Sequence, residues 1–115
     1  MLKPMADWIN FEALDIRAGR VVNVEDSQTK KPTYRLTIDF GPEIGIKKSS
    51  AQLIGAYVPE DLIGKIVMGV VNFPPKQIGP FISEVLTLGF KNINGGGFIL
   101  AVPDKNDIEL GDKMR

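Results

Sequence analysis

Apolar residues in this chain come in short runs, and most runs are cut by glycine or proline. Twelve glycines and eight prolines are spread through 115 residues. Glycine weakens helix interiors and proline breaks them, so long helices are disfavoured over most of the chain. Short apolar runs bounded by turn formers read as strands, and a single domain of them reads as an all-β, closed or partly open barrel. The clearest run is Tyr34 to Phe40. Tyr34, Leu36, Ile38 and Phe40 face one way, and Arg35, Thr37 and Asp39 the other. That alternation marks a half-buried strand.

The remaining elements follow the same logic. Trp8, Phe11 and Leu14 recur on one face behind Asp7, which predicts a short N-terminal helix capped by that aspartate. Residues 16–24 read as the first strand, with Gly19 as a bulge or bend. Gly41-Pro42 is a turn, and Ile44 and Ile46 lead a third strand into Lys47 to Gln52. Pro59 to Leu62 predicts one helical turn closed by Gly64, between the third and fourth strands. Lys65 to Phe73 is the most apolar strand and stops at Pro74-Pro75. Residues 83–88, ended by Gly89, and 98–102, ended by Pro103, supply the last two. The expected domain covers residues 8–115, with 1–7 as a tail.

Composition narrows the chemistry. There is no cysteine and no histidine. That removes disulfides, thiolate nucleophiles, zinc–thiolate sites and the usual general base near neutral pH. Carboxylate, lysine, tyrosine or Ser–Lys chemistry is all that remains, and no spacing supports it, so no catalytic centre is expected. No cofactor or metal is expected either. Residues 104–112 superficially resemble a calcium loop, but Ile108 stands where an oxygen ligand belongs and Glu109 where glycine belongs. Gly95-Gly96-Gly97 is a hairpin turn rather than a phosphate loop, since no Gly-Lys-Ser/Thr follows. No apolar run approaches the ~20 residues of a membrane helix, and the N-terminus lacks the pattern of a secretory signal. These features fit a cytoplasmic protein that does not insert in membranes.

Fourteen basic residues balance fourteen acidic ones, which argues against a duplex-DNA binder. The balance is uneven, however: residues 44–91 carry +2 and each flank −1. Two stretches in that basic segment are candidate binding sites. Lys47, Lys48, Ser49, Ser50 and Gln52 offer cations, hydroxyls and an amide on one strand and its exit. Strand alternation puts Lys47, Ser49 and Ala51 on one face and Lys48, Ser50 and Gln52 on the other. Taken alone, this stretch also reads as a solvated edge strand. The second stretch is Asn72, Phe73, Lys76, Phe81, Ser83 and Glu84, around a proline-rich loop. Aromatics beside a cation suit nucleobase stacking or apolar peptide side chains. Phe73 on its own reads more simply as a core residue.

Residues 14–22 (LDIRAGRVV), Ser49 to Gln52, and above all Val71-Asn72-Phe73-Pro74-Pro75-Lys76-Gln77-Ile78 with Ser83-Glu84-Val85-Leu86 resemble the CsaA-type export chaperones. That group belongs to the tRNA-binding-domain superfamily, which also supplies C-terminal domains of methionyl-tRNA synthetases and EMAP II-like proteins. The resemblance implies a five-stranded OB-fold barrel and a homodimer. It implies non-catalytic binding of tRNA-like RNA, or of unfolded pre-export polypeptide, in a groove. It implies that Lys47, Ser49, Ser50, Gln52, Asn72, Lys76, Ser83 and Glu84 line or border that groove. Alternatives are a secretion chaperone with no RNA ligand and a structural interaction subunit.

Overall fold

The computed structural model describes residues 1–27 and 30–115. Its elements run α1 (Trp8–Glu12), β1 (Ile16–Asp26), β2 (Tyr34–Asp39), α2 (Gly41–Ile44), β3 (Ile46–Ala51), α3 (Pro59–Leu62), β4 (Ile66–Val70), β5 (Lys76–Ile78), β6 (Phe81–Ser83), β7 (Leu86–Thr87), β8 (Gly89–Lys91) and β9 (Phe98–Leu100). Five of these strands form one antiparallel sheet in the order β3-β2-β1-β4-β7. The result is the expected all-β, OB-type barrel, with short helices at the N-terminus and between β3 and β4.

Strand β1 organises the barrel. Its first half pairs with β4, from Ile16 opposite Val70 to Arg20 opposite Ile66. Its second half pairs with β2, from Arg20 opposite Asp39 to Asp26 opposite Tyr34. The register slips between Val21 and Asn23, so the bulge sits at Val22, not at Gly19. Gly19 has a different task. A methyl there would lie 2.6 Å from Ile38 Cγ2 and 2.7 Å from Phe40 Cδ1, and one on Gly69 would lie 3.0 Å from Phe40 Cζ. Glycine is needed because the buried Phe40 ring rests directly on the backbone of β1 and β4.

The core matches the alternation of β2: Tyr34, Leu36, Ile38 and Phe40 are all buried, joined by Val21, Leu53, Leu62 and Val67. Burial and the nearby Asp26 and Glu60 push the Tyr34 phenol above its usual pKa, and its hydroxyl donates to the Tyr57 carbonyl at 3.0 Å. The C-terminal tail closes the other edge of β1. Ala18 N–H donates to the Asp112 carbonyl and Met114 N–H to the Ile16 carbonyl. Arg17 locks that junction through Asp15 at 2.6 Å, Glu43 at 2.7 Å and the Gly111 carbonyl at 2.9 Å. The two carboxylates raise the Arg17 pKa above its ordinary value, so it stays charged.

Several boundaries differ from expectation. Residues 83–88 do not form one strand. Phe81–Ser83 folds back on Lys76–Ile78 as a separate hairpin, and only Leu86–Thr87 joins β4. Gly89 begins β8 instead of ending a strand. Ile44 closes a helical turn before β3, with Gly45 at φ 85° between them. Helix α1 forms where expected, but Trp8 and Ile9 are 79% and 72% exposed, so its apolar side chains pack on little of this chain.

Candidate functional site

Strands β3 and β7 are the two edges of the sheet, and they approach each other without a regular ladder. Side chains bridge the gap. Lys48 N–H donates to Glu84 Oε1 at 3.0 Å, and Ser50 N–H to Ser83 Oγ at 3.0 Å. Ser49 Oγ donates to the Val85 carbonyl at 3.1 Å and lies 2.8 Å from Thr87 Oγ1. One backbone bond helps, from Glu84 N–H to the Lys48 carbonyl at 2.8 Å. Each side chain satisfies a strand group that would otherwise be left unpaired at the seam.

This closure leaves two hollows beside β3. The first, of about 480 Å³, lies over the outward face of β1–β3 and under the β5–β6 hairpin. Arg35, Thr37 and Lys48 form its floor, Glu25 and Glu84 its sides, and Pro75, Pro80, Phe81 and Ile82 its roof. Register explains the floor: Arg35 faces Ser50, and Thr37 faces Lys48. The Lys48 ammonium donates to Thr37 Oγ1 at 2.9 Å. The Arg35 guanidinium sits 5.1 Å from the centroid of the Phe81 ring. The second hollow, of about 330 Å³, opens where β3 ends, between Ser50–Leu53 and Leu86–Gly89, and is closed by Phe98 and Leu100. It is mostly apolar, with Gln52 and Thr87 on its walls.

The expected site residues separate into three groups. Lys48, Phe81 and Glu84 meet at the first hollow, and Ser50 and Gln52 line the second. Lys47 reaches Glu84 at 3.9 Å. Ser49 is fully buried and cannot touch a ligand; its position opposite Leu36 turns it into the barrel. Ser83 is occupied by the seam. Asn72 is also committed: its Oδ1 accepts the Asp15 N–H at 2.9 Å, and its Nδ2 donates to the Ala13 carbonyl at 2.8 Å. It pins the end of α1 to β4 instead of facing a base. Phe73 is 44% exposed, not in the core, because β4 ends at Val70 and the chain leaves the barrel there. Lys76 is exposed on β5, opposite Ser83. Arg35, Thr37 and Glu25 were missed as site residues. The outward row of the β1–β2 alternation was the signal for them, but it does not say which outward residues a distant hairpin will cover.

Residues 16–113 match the family model described as "Putative tRNA binding domain". Chaperone CsaA from Bacillus anthracis is a structural neighbour at 43% identity and TM-score 0.88, covering 97% of this chain and all of that one. Chaperone CsaA from Picrophilus torridus is another at 47% identity and TM-score 0.85, covering 96% of this chain and all of that one. A methionine–tRNA ligase from Methanocaldococcus jannaschii is 36% identical over 105 residues, 91% of this chain but 16% of the ligase. The chain thus spans about a sixth of the length of that curated relative.

Proposed function

The chain belongs to the tRNA-binding-domain family, a family of non-catalytic binding modules, with CsaA chaperones among its near structural relatives, and on that premise we propose that it binds tRNA-like RNA in the hollow between β1–β3 and the β5–β6 hairpin. The observation that carries this reading is the hollow itself: cations on its floor, an aromatic in its roof and rigid prolines framing both. Lys48 and the exposed Lys76 meet the backbone, and the Phe81 ring meets bases, whose stacking is tolerant of sequence. Zero net charge keeps the number of phosphate contacts small. A salt titration with total tRNA checks the reading. Log affinity falls linearly with log salt, by about 0.7 per phosphate contacted on a single strand. Binding that is absent at low salt, or flat in salt, sinks it.

A second reading has its own support. The apolar hollow at the end of β3 is large enough for a bulky side chain of an unfolded, pre-export polypeptide, in line with the chaperone relatives. Such binding would be nearly insensitive to salt and would weaken when Leu86 or Phe98 is trimmed to alanine. In either case the working form is proposed to be a cytoplasmic homodimer. The exposed Trp8 and Ile9 of α1, with Ile108 and Met114 of the tail, supply apolar surface for the contact.

A further inference from the structure

We propose that Arg35 is a phosphate anchor, a pre-oriented fork that takes one backbone phosphate of the RNA; this rests on the RNA reading of the first hollow. Arg35 is half-buried on the outward face of β2, and its guanidinium carbon lies over the Phe81 ring, 5.1 Å from the centroid. Phe81 belongs to the hairpin, so the contact spans the floor and the roof of the hollow. A cation–π contact of this kind restrains the side chain without using its N–H donors. An arginine has five such donors, and here none makes a hydrogen bond or ion pair with another described residue. A planar cation, partly stripped of water, restrained by the ring and without an acceptor suits two oxygens of a phosphate.

The neighbouring charges place the anion. On the β1 side, Glu25 stands directly opposite Arg35, and its carboxylate repels a phosphate. On the β3 side stands Ser50, with Lys48 two residues before it, and the Lys48 ammonium is steadied by Thr37. Glu84, the other carboxylate of the hollow, is engaged by Lys48 N–H and Lys47. The phosphate therefore sits over the β2–β3 seam, between Arg35 and Lys48. With two cations on the floor, this is a subsite for a single phosphate.

Anisotropy titrations with a short labelled single-stranded RNA test the assignment, with thermal melts to check folding. Arg35→Lys keeps the charge and loses the fork; it is expected to weaken binding about tenfold, as befits a lost bidentate contact, with the salt slope unchanged. Arg35→Ala reduces that slope by about 0.7. Glu25→Gln tightens binding by removing the repulsion. Wild-type affinity in Arg35→Lys overturns the anchor, and so does an unchanged slope in Arg35→Ala. An Arg35→Ala protein that loses an unfolded polypeptide but not RNA overturns it as well. If Lys48→Ala weakens RNA binding while both Arg35 variants do not, the anchor falls and the RNA reading stands. If the wild-type protein binds no RNA at low salt, both fall.

Discussion

Ser49 shows how a residue of the right chemistry can serve the fold and not the ligand. In sequence it sits between Lys48 and Ser50, and its hydroxyl suits a phosphate or a base edge. In the barrel it lies opposite Leu36, fully buried, and is consumed by the Val85 carbonyl and Thr87. Removing it takes away the shorter of the two hydroxyl donors on the Val85 carbonyl, with Ser83 Oγ left at 3.3 Å, and the Thr87 Oγ1 partner, a net loss of about 0.5–1.5 kcal/mol per hydrogen bond. Ser49→Ala is therefore expected to lower the denaturant midpoint, while RNA affinity under native conditions stays within twofold. Lys48→Ala is expected to do the reverse. Two adjacent residues then separate stability from binding, and an equal loss of affinity in both would contradict the division. Period-two alternation already implied that Lys48 and Ser49 point to opposite faces. It could not say which face was inside, because neither row of β3 is apolar enough to decide it.

Strands whose hydrophobic period is complete were legible from sequence. Strand β2 carries three buried residues at alternate positions, and Phe40, one step beyond its end, is buried on the same face, so burial and facing row agree with that pattern. The short helix Pro59–Leu62 was legible for another reason: proline at its start and Gly64 just past its end are local signals. The β5–β6 hairpin was not. Its two strands are three residues each, mostly exposed, and pair only with one another, so no hydrophobic period marks them. What places the hairpin is tertiary: Phe81 against Arg35, and Ser83 and Glu84 against β3. Because the hairpin lies outside the five-stranded sheet, it is separable. Replacing residues 75–82 with a glycine–serine linker should leave a cooperative thermal transition while reducing RNA affinity by at least tenfold. A variant that keeps full affinity would move the site off this hairpin.

At the scale of the molecule, the ends of the chain behave differently from its middle. The tail is tied to β1 by backbone bonds and by Arg17, yet it leaves Ile108 and Met114 partly exposed. Helix α1 buries none of its residues. Burying Trp8 and Ile9 in a contact between copies would remove apolar surface worth roughly 1.5–3 kcal/mol for a large side chain. Trp8→Glu is accordingly expected to shift sedimentation from dimer to monomer without unfolding the barrel; a wild-type protein that sediments as a monomer at micromolar concentration defeats the idea. The seam between β3 and β7 bears on how such barrels are recognised. Ser49, Ser83 and Glu84, which make the sequence identifiable, are spent on holding the edges together, and Asn72 on holding the helix to the sheet. The recognisable signature thus describes a latch, and what the latch shuts in, or leaves outside, is written separately. Two barrels could share every letter of it and carry different cargo, told apart by the unremarkable outward row through Arg35.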